Sequence, residues 1–150
     1  MIRFAYAAAR GALAGTRAPF PMTAWFAGAK KLGLLGEAPP KKITRRFLDA
    51  IGLKSKTNKT ERDVVTMAAH LGFGAGMGAI YGLLREAHLW PRGMLGGAAF
   101  GSVVWGASYM GWVPALSIMP RPSHDRPGRP TAMLTAHWVF GVSLARTYAR

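Results

Sequence analysis

Two histidines, His70 and His137, are the residues of this chain best suited to chemistry. Each lies inside an apolar run, His70 in AHLGFGAGMG and His137 in AHWVFGVSLA. Both fragments read A-H-x-x-F-G, and each histidine follows a boundary residue, Asp63 or Pro130, by seven positions. An ionisable side chain in an apolar run is a functional candidate, and imidazole titrates near neutral pH. Two chemistries fit. The pair could carry protons, the two fragments forming a faint internal repeat of the kind found in transporters. Alternatively, each neutral ring makes a hydrogen bond between helices, with Thr66, Ser108 or Thr135 as partner.

The remaining titratable groups form no catalytic set. Glu86 and His88 are close in sequence, as are His124 and Asp125, but each is a loop pair without a third ligand or a nucleophile. A metal site needs three or four converging donors. The chain has no cysteine, which removes thiolate ligands and cysteine nucleophiles. HExxH, Walker and GxSxG patterns do not occur. GFGAGMG resembles a nucleotide loop only because glycine is dense there, and no parallel-sheet pattern surrounds it. The expectation is a chain that is not an enzyme and has no metal or cofactor.

The elements that would carry these residues read as membrane helices. Half of the 150 residues are apolar and 17% are charged, below the quarter usual for soluble domains. Residues 64–84 and 93–119 contain no formal charge, and about 20 residues cross a hydrocarbon core. Residues 130–145 are shorter but can cross if Arg146 snorkels and Tyr148 sits at the interface, giving a span over 130–147. The first block, 11–29, holds Arg17 and is interrupted by Pro19 and Pro21. Arg3, Arg10 and Arg17 recur every seven residues and form one basic stripe on a continuous helix. Three arrangements compete: an N-terminus lying along the interface that crosses from about Phe20, a stripe facing the bundle or a partner, or a presequence of mitochondrial type over the first 18 residues. A broken, tilted or re-entrant first helix is the preferred one. The expected fold is therefore all-α: a polytopic transmembrane bundle forming one membrane domain over 1–150.

Glycine sets the expected packing. Gly72, Gly74, Gly76, Gly78 and Gly82 give overlapping small-xxx-small pairs, Gly97 and Gly101 repeat the spacing, and Gly11 and Gly15 repeat it again. Such residues let membrane helices approach closely. Glycines two apart lie on different faces, so 64–84 is expected to be the central helix. Trp90 reads as an outer aromatic anchor, Tyr109 and Trp112 as inner ones, and Pro114 as a kink or an end.

Between the first two spans lies a basic loop, 30–63, holding ten of the twenty basic residues. Within it, 41–52 reads as an interfacial amphipathic helix: Ile43, Phe47, Leu48 and Ile51 on one face, Lys41, Lys42, Arg45 and Arg46 around the others, closed by Gly52. Those four cations suit anionic phospholipid head groups. The net charge of +14 is not read as nucleic-acid binding, because no recognition module accompanies it. With four spans, the 30–63 and 120–130 loops place thirteen basic residues on one side against six on the other. That makes the long loop cytoplasmic and both termini external. A re-entrant first block would move only the N-terminus inside.

The order GALAGTRAPFPMT, LGLLGEAPPKKIT, HLGFGAGMGAIYGLL, VVWGASYMGWVPAL and HWVFGVSLA resembles the YagU-like group of small bacterial inner-membrane proteins, from about Gly11 to Ala145. The resemblance implies several helices in the bacterial inner membrane and no known enzymatic chemistry. Arg17 departs from the aliphatic residue expected in the first span, which points to a protein partner or an altered depth. The functional expectation is a non-catalytic membrane protein packed through glycine faces, a structural or accessory subunit that meets other subunits or itself. The alternative is a small proton-linked transporter or channel using His70 and His137.

Overall fold

In the computed structural model, residues 1–149 are described, and every regular element among them is helical, with no strand. Helix α1 spans Ile2–Arg17 and α2 spans Pro19–Lys31, so the first helix begins well before residue 11. The break between them follows from the two prolines. Pro19 and Pro21 have no N–H for the carbonyls of Gly15 and Arg17, so the chain bends at Ala18. Helix α3, Pro39–Ala50, starts on its prolines, which suit the first turn because N–H groups there have no intrahelical partner. It is shifted by two residues from 41–52. Gly52 closes it with φ +70°, Gly52 N–H donating to Asp49 and Leu53 N–H to Leu48 at 2.9 Å.

Helix α4, Lys59–Glu86, is the one helix among the described residues long and apolar enough to cross a membrane. Its 28 residues rise about 42 Å at 1.5 Å each. A reciprocal cap starts it five residues before the apolar run: Glu61 N–H donates to Asn58 Oδ1 at 2.9 Å, and Asn58 N–H donates to Glu61 Oε2 at 2.8 Å.

The expected 93–119 helix is not continuous. Helix α5 ends at Trp105, a wide π-helical stretch runs from Gly106 to Trp112, and α6 is a single turn, Val113–Ala115. Pro114 cannot donate to the carbonyl of Met110, and Gly111, with φ −102° and ψ −108°, absorbs the distortion. Helix α7, Arg129–Ala149, completes the fold.

Two antiparallel glycine crossings organise these helices. Along α1 and α4, Ala7 meets Gly82, Gly11 meets Gly78 and Gly15 meets Gly74, so tightly that a Cβ on any of these glycines would strike facing backbone. Along α5 and α7, Gly97 meets Gly141 and Gly101 meets the His137 backbone in the same way. Helix α7 packs on α5, α2 and α1, and its buried stripe runs from Arg129 through Ala136 and Phe140 to Tyr148. Helix α4 also packs on three helices, α1, α3 and α2, but only Gly74, Gly78, Tyr81 and Gly82 are buried along it, so α7 is the more deeply buried of the two. Gly72 and Gly76 have nothing within 4 Å and take no part in either crossing. Helix α4 is thin on one side, where α1 lies. Its other faces expose Val64, Phe73, Ile80 and Leu83.

The start of α1, the end of α7 and the 87–92 loop share one end of the bundle, because Arg3 pairs with Glu86 at 2.7 Å and the Tyr148 hydroxyl reaches the Gly82 carbonyl. The 32–58 and 116–128 segments share the other end.

Candidate ligand cavity and its histidines

The glycine crossings bring the two A-H-x-x-F-G fragments to one place. Gly74 and Gly141 lock α4 to α1 and α7 to α5, and one turn earlier His70 and His137 line a common cavity of about 230 Å³. Phe73 and Phe140 line it too. The walls come from α2, α3, α4, α7, the π-helical stretch and the adjoining ends of α5 and α6, and they are overwhelmingly apolar.

Two of the three hydroxyls expected to tie the histidines across helices are used otherwise, and the third, Ser108, lines the cavity with no hydrogen bond to the protein among the described residues. Thr66 donates to Arg62 on its own helix at 2.7 Å, and Thr135 donates to Thr131 at 2.9 Å. His137 Nδ1 lies 2.7 Å from the Met133 carbonyl, one turn back on α7. A carbonyl only accepts, so Nδ1 carries the proton and Nε2 of the neutral ring keeps a lone pair. His137 is almost fully buried, whereas His70 is half-buried.

Below the cavity lies a polar cluster that the sequence reading passed over. Tyr109 is 1% exposed, and its hydroxyl donates to Asp125 Oδ2. Asp125 Oδ1 accepts from Arg126 N–H at 2.8 Å and from the Arg129 guanidinium at 3.2 Å. Arg129, itself 4% exposed, also reaches the Glu37 carbonyl at 3.3 Å, while its Nε is buried without a partner among the described residues. Burial pushes the Asp125 carboxyl up, but the Tyr109 hydroxyl, the Arg126 amide and the Arg129 guanidinium outweigh it, and the net shift is downward. The available signal was the i, i+4 spacing of Asp125 and Arg129 at the entrance to α7. Tyr109 is thus an interior residue, not an aromatic anchor. Trp112 lines the cavity half-buried, and Trp90 donates to the Gly96 carbonyl at 2.8 Å. Tyr148 is also interior: it packs edge-on against Tyr81.

Elsewhere the candidates disperse. Glu86 pairs with Arg3, and His88 is an exposed loop residue with φ 60°. His124 is exposed beside Ser123. No group of three metal-ligating side chains gathers among the described residues. On α3, Lys41 donates to Asp63 at 2.7 Å, which holds that carboxyl below its usual range, and Arg45 pairs with Glu37 at 2.7 Å. Lys42 and Arg46 have no acidic partner among the described residues. The expected apolar face of α3 divides: Leu48 is buried with Thr44 and Ile43 partly so, while Phe47 and Ile51 are exposed. Arg17 is exposed at the end of α1.

Comparison of the chain with known protein families, characterised proteins and solved structures returns no match.

Proposed function

We propose that this chain is a non-catalytic, multi-pass protein of the bacterial inner membrane, as its resemblance to the YagU-like group implies, and that it serves as a subunit of a hetero-oligomeric membrane complex. The carrying observation is Arg17. Gly15 and Pro19 both pack on Gly74, so Arg17 stands level with the middle of the uncharged 64–84 run, and it is exposed there. An arginine at the centre of a membrane helix costs about 2.5–3.5 kcal/mol on insertion scales. The position at the C-terminal end of α1 recovers part of that, since a cation there faces the carbonyls that the prolines leave free.

A carboxylate from another chain offsets the rest. A second copy cannot supply it at that depth, because all six acidic residues (Glu37, Asp49, Glu61, Asp63, Glu86 and Asp125) lie in loops or near helix ends. The partner is thus a different membrane protein with an acidic residue near mid-span. Exposed Phe47 and Ile51, beside Lys42 and Arg46, support α3 lying in the head-group plane against anionic phospholipid, with the 30–63 loop cytoplasmic.

The proton-linked transporter remains the second reading, favoured by the two histidines on one cavity. It ranks lower because so apolar a wall holds water poorly.

The test is native purification in mild detergent. Wild type should migrate with a partner bearing a mid-span carboxylate, Arg17→Glu should lose it, and a compensating Glu→Arg change in the partner should restore it. Migration as a monomer, unchanged by Arg17→Glu, would overturn the proposal.

A further inference from the structure

The cavity itself selects for a ligand, independently of any partner at Arg17. Three of its polar groups have their protons committed to the protein, while the Ser108 and Thr44 hydroxyls, which also line it, have no hydrogen-bond partner among the described residues. His137 gives its Nδ1 proton to Met133, Tyr109 gives its hydroxyl proton to Asp125, and Thr66 gives its own to Arg62. What these groups can offer the cavity is lone pairs, chiefly His137 Nε2. His70, on the facing helix, has no hydrogen bond to the protein among the described residues and supplies either a donor or an acceptor.

A compound that satisfies His137 Nε2 must bring a donor, and a hydroxyl does so without an isolated charge in an apolar site, while its oxygen can accept from Ser108 or Thr44. The rest of the wall favours a ring over a chain. Phe26, Phe73 and Phe140 present aromatic surface, and Met22, Met119 and Met133 present thioethers, which contact ring edges favourably. The volume of about 230 Å³ lies below the range of drug-sized ligand pockets, which restricts the occupant to a single small ring with a short substituent.

We infer that this cavity binds a lipophilic compound carrying a hydroxylated aromatic ring, of the phenol or quinol class, with its hydroxyl donated to His137 Nε2. Binding alone is assigned, and no bond is made or broken.

The test uses the full-length protein in detergent micelles, with 4-propylphenol and its methyl ether, 4-propylanisole, as probes. Both partition alike into micelles, so only saturable, protein-dependent binding is scored. The phenol should bind about ten-fold more tightly than the ether, the value of one hydrogen bond. His137→Phe should remove that preference while leaving ether binding in place, and His137→Gln, which restores an acceptor, should recover part of it. Ala69→Trp is built on the exposed rim of the cavity and does not depend on the histidine for folding. It should weaken both probes. Equal affinity for phenol and ether would overturn the inference in favour of an acyl chain. Absence of saturable binding, or binding untouched by Ala69→Trp, would overturn it outright. None of these outcomes depends on the partner proposed at Arg17.

Discussion

Arg10 lays its guanidinium over the ring of Tyr148, 4.6 Å from the centroid, and donates to the backbone carbonyl of the same residue. One arginine of the N-terminal basic stripe is thereby satisfied by the last helix. The stripe is divided three ways: Arg3 goes to Glu86, Arg10 to Tyr148, and Arg17 to the outside.

Replacing Arg10 with Leu should destabilise the bundle by about 2 kcal/mol, combining a partly desolvated cation–π contact with a charged hydrogen bond. Tyr148→Leu removes the ring but leaves the carbonyl, so it should lose the cation–π share and the edge contact with Tyr81. Thermal unfolding in detergent of the two single variants and the double variant measures the coupling. Additive losses would show that the residues do not interact.

The glycines of α4 divide by face. Gly78→Leu drives a side chain into the Gly11 carbonyl and the Gly15 backbone, which no rotamer relieves. It should cost about 3 kcal/mol or abolish assembly. Gly76→Leu meets open space and should leave the midpoint of the isolated chain within about 0.5 kcal/mol, as for substitutions outside packed contacts. The same pair of variants can be read by cross-linking α1 to α4. A sensitive Gly76 in the isolated chain would mean that the helix register is wrong.

Asp125 makes stability depend on acid. Its carboxyl is held below its ordinary value of 3.8, so the native state binds its proton less readily than the unfolded chain. Its contribution is complete above about pH 4 and fades as pH falls through the lower native value. Asp125→Ala leaves Arg129 buried without its counter-charge and should cost about 3–5 kcal/mol at pH 7. Asp125→Asn keeps the bonding pattern in part but not the charge, so its melting midpoint should fall less steeply than wild type between about pH 4 and 2. The observable is the difference between the two pH curves, which cancels the other carboxylates. Parallel curves would show that Tyr109, Arg126 and Arg129 do not hold the Asp125 carboxyl below its ordinary value.

The sequence alone was enough for the helical class, the apolar runs, the loop prolines and the small-xxx-small spacing, because these depend on local chemistry and period. Gly11, Gly15, Gly74 and Gly78 declared a close approach by their four-residue repeat. Their choice of partner was not local. Gly72 and Gly76 have the same spacing as Gly74 and Gly78, and only the rotation of α4 against α1 decides which pair is covered. The extent of α5 was likewise undecided, since Pro114 permits either a kink or an end, and tertiary packing produced a π-helical stretch ahead of it. His70 and His137 were visible as echoes of one motif, 67 positions apart. That they face one cavity depends on how α4 and α7 are turned by their separate glycine crossings. Tyr109, Asp125 and Arg129 carried almost no local signal, because a buried ion pair is made by whatever closes over it, here Glu37, the π-helical stretch and the start of α7.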